Sequence, residues 1–333
     1  MSRADTLFRP VDLGKLRLKN RVVMAPMTRT YSPGNVPNDL VVNYYRRRAE
    51  GGVGLIITEG TFVDHVAASG YPNVPAFYGQ DALAGWKKVV DGVRDAGGKI
   101  APQLWHVGAI RRPGVNPGGD TPGHSPSGMV VPGKVTGHAM TQADIDEVVA
   151  AFAKAAADAK AIGFDAIELH GAHGYLIDQF FWDGTNQRDD AYGGDLAARS
   201  RFALEIVRAV RAAVGEDFPI IFRFSQWKQQ DYAARLCDTP EALRDFLMPL
   251  AEAGVEDPSC HQAALRVSGF TSQVEREPET LNLQPGTTSA VVLREALAAR
   301  TDDRRIVAEV LDVPVEDVEL GPNLVKNGGF EDW

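Results

Sequence analysis

The chain has 333 residues, 44% of them hydrophobic and 24% charged, which is enough to bury one large core or two small ones. Its net charge of −9, with no clustered Lys and Arg beyond the short run Arg46 to Arg48, gives no footprint for nucleic acid or an anionic membrane surface. Two cysteines, Cys237 and Cys260, form no C-x-x-C pair and argue against a disulfide framework and a zinc site, and with no apolar leader in MSRADTLFRPVDLG and no long apolar run the expectation is a cytoplasmic chain.

From Arg21 onward short apolar runs alternate with amphipathic stretches, the pattern of βα units around a parallel sheet. Strands are predicted at Val22 to Met24, Val53 to Thr58, Lys99 to Leu104, Ala166 to Leu169 and Pro219 to Phe224. Helices are predicted at Asp39 to Glu50, Ala82 to Ala96, Thr141 to Ala161, Ala197 to Val214 and Thr239 to Ala253, with Thr141 and Thr239 as N-caps. The first strand runs into MAPMTR with no G-x-G-x-x-G, which disfavours an open doubly wound sheet and leaves a closed barrel. The Gly- and Pro-rich segment from Arg111 to His138 reads as a long active-site loop or small hairpin subdomain, and Asp183 to Gly194 as a polar loop without EF-hand spacing. After Gly254 the periodicity stops. Residues 1–254 are therefore expected to form the barrel region and 255–333 an atypical, partly irregular segment, with weak strand candidates at Ala264 to Val267 and Ile306 to Val310 and a helix at Ala290 to Ala299.

In a (β/α)8 barrel the C-terminal ends of all strands face one mouth. Pooling those ends gives Pro26, Met27 and Thr28, then Glu59 and Gly60, then Gln103, Trp105 and His106, then His170, His173 and Tyr175, and finally Arg223. That set has no carboxylate pair at glycosidase spacing, no Ser elbow and no Lys placed for a Schiff base, so hydrolysis and aldol chemistry are poorly served. It offers neutral hydrogen-bonding groups, one cation and a phenol, a mixture that suits a flat polar heteroaromatic such as a flavin.

The motifs MAPMTR, TEG, APQLWHVG, SPS, HGAHGYLIDQFFWDGTNQRDDAYGG and IFRFS occur in this order, and from about Leu7 to Gly254 the chain resembles the Old Yellow Enzyme-like NADH:flavin oxidoreductases, the ene-reductases. The resemblance implies an α/β fold, a TIM barrel of the (β/α)8 kind, here incomplete or altered at strands six to eight. It implies FMN as cofactor, NADH or NADPH as reductant and a small α,β-unsaturated carbonyl compound as substrate. Pro26, Met27 and Thr28 resemble the segment under the isoalloxazine, Gly60 and Gln103 its pyrimidine-edge contacts, and Arg223 the cation that meets the charge of the reduced ring. His170 and His173 resemble the pair that binds the substrate oxygen, Tyr175 the proton donor, and Trp105 a further substrate contact. Beside the small-molecule substrate, the sequence leaves a homo-oligomer open as a further partnership.

Taken singly these residues have plainer readings. An i, i+3 histidine pair with Asp165, Glu168 and Asp178 near it in sequence fits a metal-dependent hydrolase, although no metal is expected here. Tyr175 alone reads as a rim tyrosine, Arg223 as an ion-pair partner, and Glu59 as packing at a barrel end. The region after Gly254 shows none of the Gly-rich and Arg-containing phosphate motifs of the family, which admits a second reading: a truncated or spliced pseudoenzyme relative with a non-catalytic or biosynthetic-assembly role.

Overall fold

The structure is a computed structural model that describes residues 7–115 and 117–255. Two short strands, β1 (Val11–Leu13) and β2 (Leu16–Leu18), form an antiparallel hairpin before the first repeat. The repeats then follow as β3 (Val23–Met24), α1 (Asp39–Glu50), β4 (Leu55–Phe62), α2 (Gln80–Asp95) and β5 (Ile100–Trp105). An insertion carries β6 (His124–Ser125), β7 (Met129–Val131), β8 (Lys134–Val135) and β9 (His138–Ala139), and leads into α3 (Gln142–Ile162). Next come β10 (Ile167–Gly171), α4 (Leu176–Phe181), α5 (Leu196–Arg199), α6 (Arg201–Val214) and β11 (Ile220–Phe224). The hairpin β12 (Trp227–Lys228) and β13 (Asp231–Arg235) precedes α7 (Pro240–Glu252).

The main sheet is parallel and runs β3-β4-β5-β10-β11 in strict sequential order. A doubly wound sheet reverses its strand order at a switch point, whereas this order never turns back. With right-handed crossovers every helix then falls on one face, which is barrel winding. Within the described residues the sheet is the first five-strand arc of such a barrel. The predicted segments after residue 255, including the two strand candidates and the helix, lie outside the described residues.

Local sequence explains the helix ends. Asn38 accepts from the Leu40 and Val41 amides to start α1, and Thr141 and Asp144 make a reciprocal capping box at α3, as predicted. The predicted helix over 197–214 is instead two pieces that meet at Ser200, whose hydroxyl donates to the Leu196 carbonyl at 2.7 Å. Arg211 of α6 reaches the carbonyls of Gly215, Phe218 and Gly254, tying the end of α6, the entry to β11 and the end of α7 to one guanidinium.

Strands β4, β5 and β10 are buried along their whole length, as expected when one face meets helices and the other a barrel interior. The inner face begins with a small apolar plug, where Leu55, Ile57, Ala101 and Ala166 pack on Leu16 and Leu18 of the hairpin. Because strand side chains alternate, the residues two positions further on, Gln103, Glu168 and Arg223, lie on that same face above the plug. The core has put its functional groups one layer above its floor.

Candidate active site

A bulge in β4 completes the layer: Ile57 pairs with Ala101 but Gly60 pairs with Gln103, so three steps on β4 match two on β5. The extra residue turns Thr58 and Glu59 to structural work. Thr58 accepts from the Gln103 amide at 3.1 Å, while the buried Glu59 carboxylate takes both the Arg29 guanidinium and the Arg29 amide. Arg29 also lies over the Tyr44 ring at 3.7 Å. Its anchoring fixes the segment Pro26, Met27 and Thr28, in which Pro26 and Met27 are half-buried and Thr28 is exposed.

Register then ties the remaining residues together. Gly60 and Glu168 both pair with Gln103, and His170 pairs with Arg223 on the neighbouring strand. Gln103 donates from Nε2 to the buried Glu168 carboxylate at 2.7 Å. Burial pushes the Glu168 pKa up, and the Arg223 charge opposes that shift. Trp105 lies stacked against His170 with ring centroids 6.3 Å apart and edge-on to Tyr175 at 4.8 Å, and His170 and Tyr175 are 5.1 Å apart. His173 stands perpendicular to His170 at 5.1 Å. Trp105, His170, His173 and Tyr175 thus form one ring-contact group, with Gly60, Gln103 and Arg223 joined to it through strand register.

The electrostatics leave both imidazoles neutral. Burial, reinforced by the second imidazole and Arg223, holds His170 well below the ordinary histidine range, and burial with Arg223 lowers His173 to about 3. Burial and the hydroxyl of Tyr71, 3.5 Å away, raise the Tyr175 pKa, so its proton stays on. Neutral donors and a protonated phenol suit the capture of a developing oxyanion and protonation of the adjoining carbon.

The turn carrying these groups is held by residues the sequence reading did not select. His173 and Gly174 both have positive φ, 61° and 73°, a left-handed conformation that costs energy at a histidine. The His173 amide donates to Ser225 Oγ at 3.0 Å, the Gly174 amide to Asp178 at 2.8 Å, and Gln179 Nε2 to the Gly174 carbonyl at 2.7 Å. Asp178 in turn pairs with Lys228, both fully buried. The acidic residues near the histidine pair are therefore engaged elsewhere: Asp165 with Lys99 and the Ile100 amide, Glu168 with Gln103, Asp178 with Lys228. A hydrolase metal centre on His170 and His173 is not supported. His106 belongs to a different group, its Nε2 lying 2.9 Å from His65 Nδ1.

The family model for NADH:flavin oxidoreductase / NADH oxidase matches residues 6–302. This chain belongs to that family. The match continues past residue 254, where the recognisable motifs stop. The chain is 43% identical over 223 residues to 12-oxophytodienoate reductase 7 of Oryza sativa subsp. japonica, covering 63% of this chain and 56% of that relative. It is also 43% identical over 231 residues to flavin oxidoreductase hxnT of Emericella nidulans, covering 65% and 58%. It therefore spans little more than half the length of these curated relatives. Among solved structures, morphinone reductase in complex with tetrahydroNAD superposes with a TM-score of 0.68 at 37% identity, over 75% of this chain and 71% of that one. The Old Yellow Enzyme homologue from Zymomonas mobilis gives 0.67 at 32%, over 75% and 71%. Membership brings FMN as the cofactor.

The residues present fit the ring system of FMN. The Trp105 indole nitrogen is buried with no hydrogen-bond partner among the described residues, and a Cβ on Gly60 would meet the Trp105 ring at 2.5 Å, so backbone and indole approach as closely as a flat ligand wall requires. Gln103 and Arg223 supply an amide and a cation for a polar edge. The loops that carry the cofactor phosphate in this fold follow strands seven and eight and lie outside the described residues.

Proposed function

We propose that this protein is an ene-reductase that passes a hydride from NADH or NADPH, through FMN, to the activated C=C bond of an α,β-unsaturated carbonyl compound. The grouping of Trp105, His170, His173 and Tyr175 within one ring-contact cluster, beside Gln103 and Arg223, carries this reading. When bound, FMN supplies a hydride-transferring centre between nicotinamide and substrate. Gln103 and Gly60 would hold its pyrimidine edge and Arg223 would offset negative charge there; Pro26, Met27 and Thr28 would lie beneath the ring. The neutral imidazoles of His170 and His173 donate to the substrate oxygen, polarising the conjugated bond and taking up the charge that develops during reduction. Tyr175 gives its proton to the α-carbon, and Trp105 lines the substrate's side.

The non-catalytic reading is not favoured, because acid, imidazole pair and ring-edge groups are all present, with Gln103, His170 and Arg223 buried and His173 and Tyr175 half-buried beside them. Residues 1–254 are assigned to the flavin-binding region, with 255–333 as a segment of different character. The cysteine usage and the absence, among the described residues, of a helix long and apolar enough to cross a membrane support a cytoplasmic setting. Purification followed by a visible spectrum, with and without added FMN, tests the proposal: a flavin absorption bleached by a reduced nicotinamide and restored by an enone is expected, and protein that takes up no flavin overturns it.

A further inference from the structure

Away from the mouth, the insertion brings together a second set of side chains. Strands β6 and β9 pair in parallel with His124 directly opposite His138, so the two imidazoles stand side by side with ring centroids 4.6 Å apart. The capping box then fixes Asp144 in the first turn of α3, where its Oδ2 lies 2.8 Å from His138 Nε2. One nitrogen from each imidazole and one carboxylate oxygen all lie within 4.8 Å of one another. Two ligands of a zinc-like ion stand at most about 4.2 Å apart, so the three donors are within a small side-chain adjustment of that spacing. A second observation points to a ligand: His124 is 92% buried, the complement of its 8% exposure, yet its Nδ1 has no hydrogen-bond partner among the described residues. We propose that His124, His138 and Asp144 form a binding site for a divalent first-row transition-metal ion, which clasps the β6–β9 insertion to the start of α3.

The donor set is right for such an ion. Two imidazoles and one carboxylate give borderline nitrogen ligands plus one negative charge, the chemistry of zinc and its neighbours rather than of calcium. The backbone already pays the positioning cost, since strand register and helix cap set all three residues without the ion.

The test uses the full chain, treated with chelator, dialysed and titrated calorimetrically with zinc chloride alone. Saturable binding of about one equivalent is expected. His138→Gln, at a half-exposed position and checked by far-UV circular dichroism, should weaken it by about tenfold or more, because even the loss of groups behind a ligand costs 10- to 100-fold. His124→Gln should do the same, while Asp146→Asn, an exposed carboxylate on the same helix, should leave binding unchanged. No saturable binding by the unaltered chain, or binding that survives either histidine substitution unchanged, overturns the site. Flavin content does not enter the measurement, so its outcome is independent of the ene-reductase assignment.

Discussion

Replacing Lys228 by Met isolates the ion pair that supports the His173 turn. Lys228 and Asp178 side chains are 1% and 0% exposed, and Asp178 also receives the Gly174 amide at 2.8 Å. Met keeps the length of the side chain but strands a carboxylate in the interior, which typically costs about 3–5 kcal/mol. Against a total stability on the order of 5–15 kcal/mol, that is about a fifth or more of the whole. Urea denaturation followed by tryptophan fluorescence, extrapolated to water, measures it. The double variant Asp178→Asn with Lys228→Met should recover about 2 kcal/mol relative to Lys228→Met alone, because the stranded charge is gone while Asn can still accept from Gly174. The exposed helical pair Lys87–Asp91, at 49% and 43% exposure, is the contrast: Lys87→Met should cost about 0.5 kcal/mol or less. A cost under about 1 kcal/mol for Lys228→Met, or a double variant no more stable than the single one, would show that Asp178 carries no stranded charge.

Tyr175→Phe should slow enone reduction by about 10²- to 10⁴-fold while nicotinamide oxidation proceeds nearly unchanged, since only the first of these needs the proton; stopped-flow of the separate half-reactions decides, and equal losses would remove Tyr175 from its role. Gly60→Ala puts a Cβ 2.5 Å from Trp105 Cε3, so it should displace the indole, cost about 1–3 kcal/mol and lower flavin occupancy, with an unchanged near-UV spectrum and melting curve as the contrary result. Stability should also fall between about pH 6.5 and pH 4. His124 and His173 titrate at about 4 and 3 in the folded chain and near 6.5 when unfolded, so over that window the unfolded state binds more protons and acid favours it. Each histidine contributes a slope of about 1.4 kcal/mol per pH unit, partly offset by Glu168, whose raised pKa works in the opposite sense; a flat profile from pH 6.5 to 4 would show these imidazoles to be solvated.

Periodicity made the repeats legible because each strand is short, apolar and bounded by turn residues: α1 runs over the predicted Asp39 to Glu50, and the other strands and helices begin or end within a few residues of expectation. Strand β4 extends past Thr58 because its bulge breaks the alternation that sequence reading relies on, and Ser200 divides a helix whose apolar pattern is continuous. Pooling by position at a strand's end, a local property, brought together Trp105, His170 and Tyr175, which lie in ring contact, but also Glu59 and His106, which bond elsewhere. What escaped depends on chain reversal. Lys228 is 50 residues from Asp178, and no spacing rule joins them. His124, His138 and Asp144 belong to two tiny strands and a helix cap, so no metal was expected from a sequence in which they form no motif. Glu168 was legible as a strand residue, but its place beside Gln103 needed the register.

The three carbonyls gathered by Arg211 bind two consecutive βα units through one planar group, so neither unit can loosen its C-terminal end without disturbing the other. Opening of α7 is thereby coupled to fraying at the foot of β11. In hydrogen exchange the amides of both should report a common sub-global event, with the floor of the barrel arc protected as a single cooperative block.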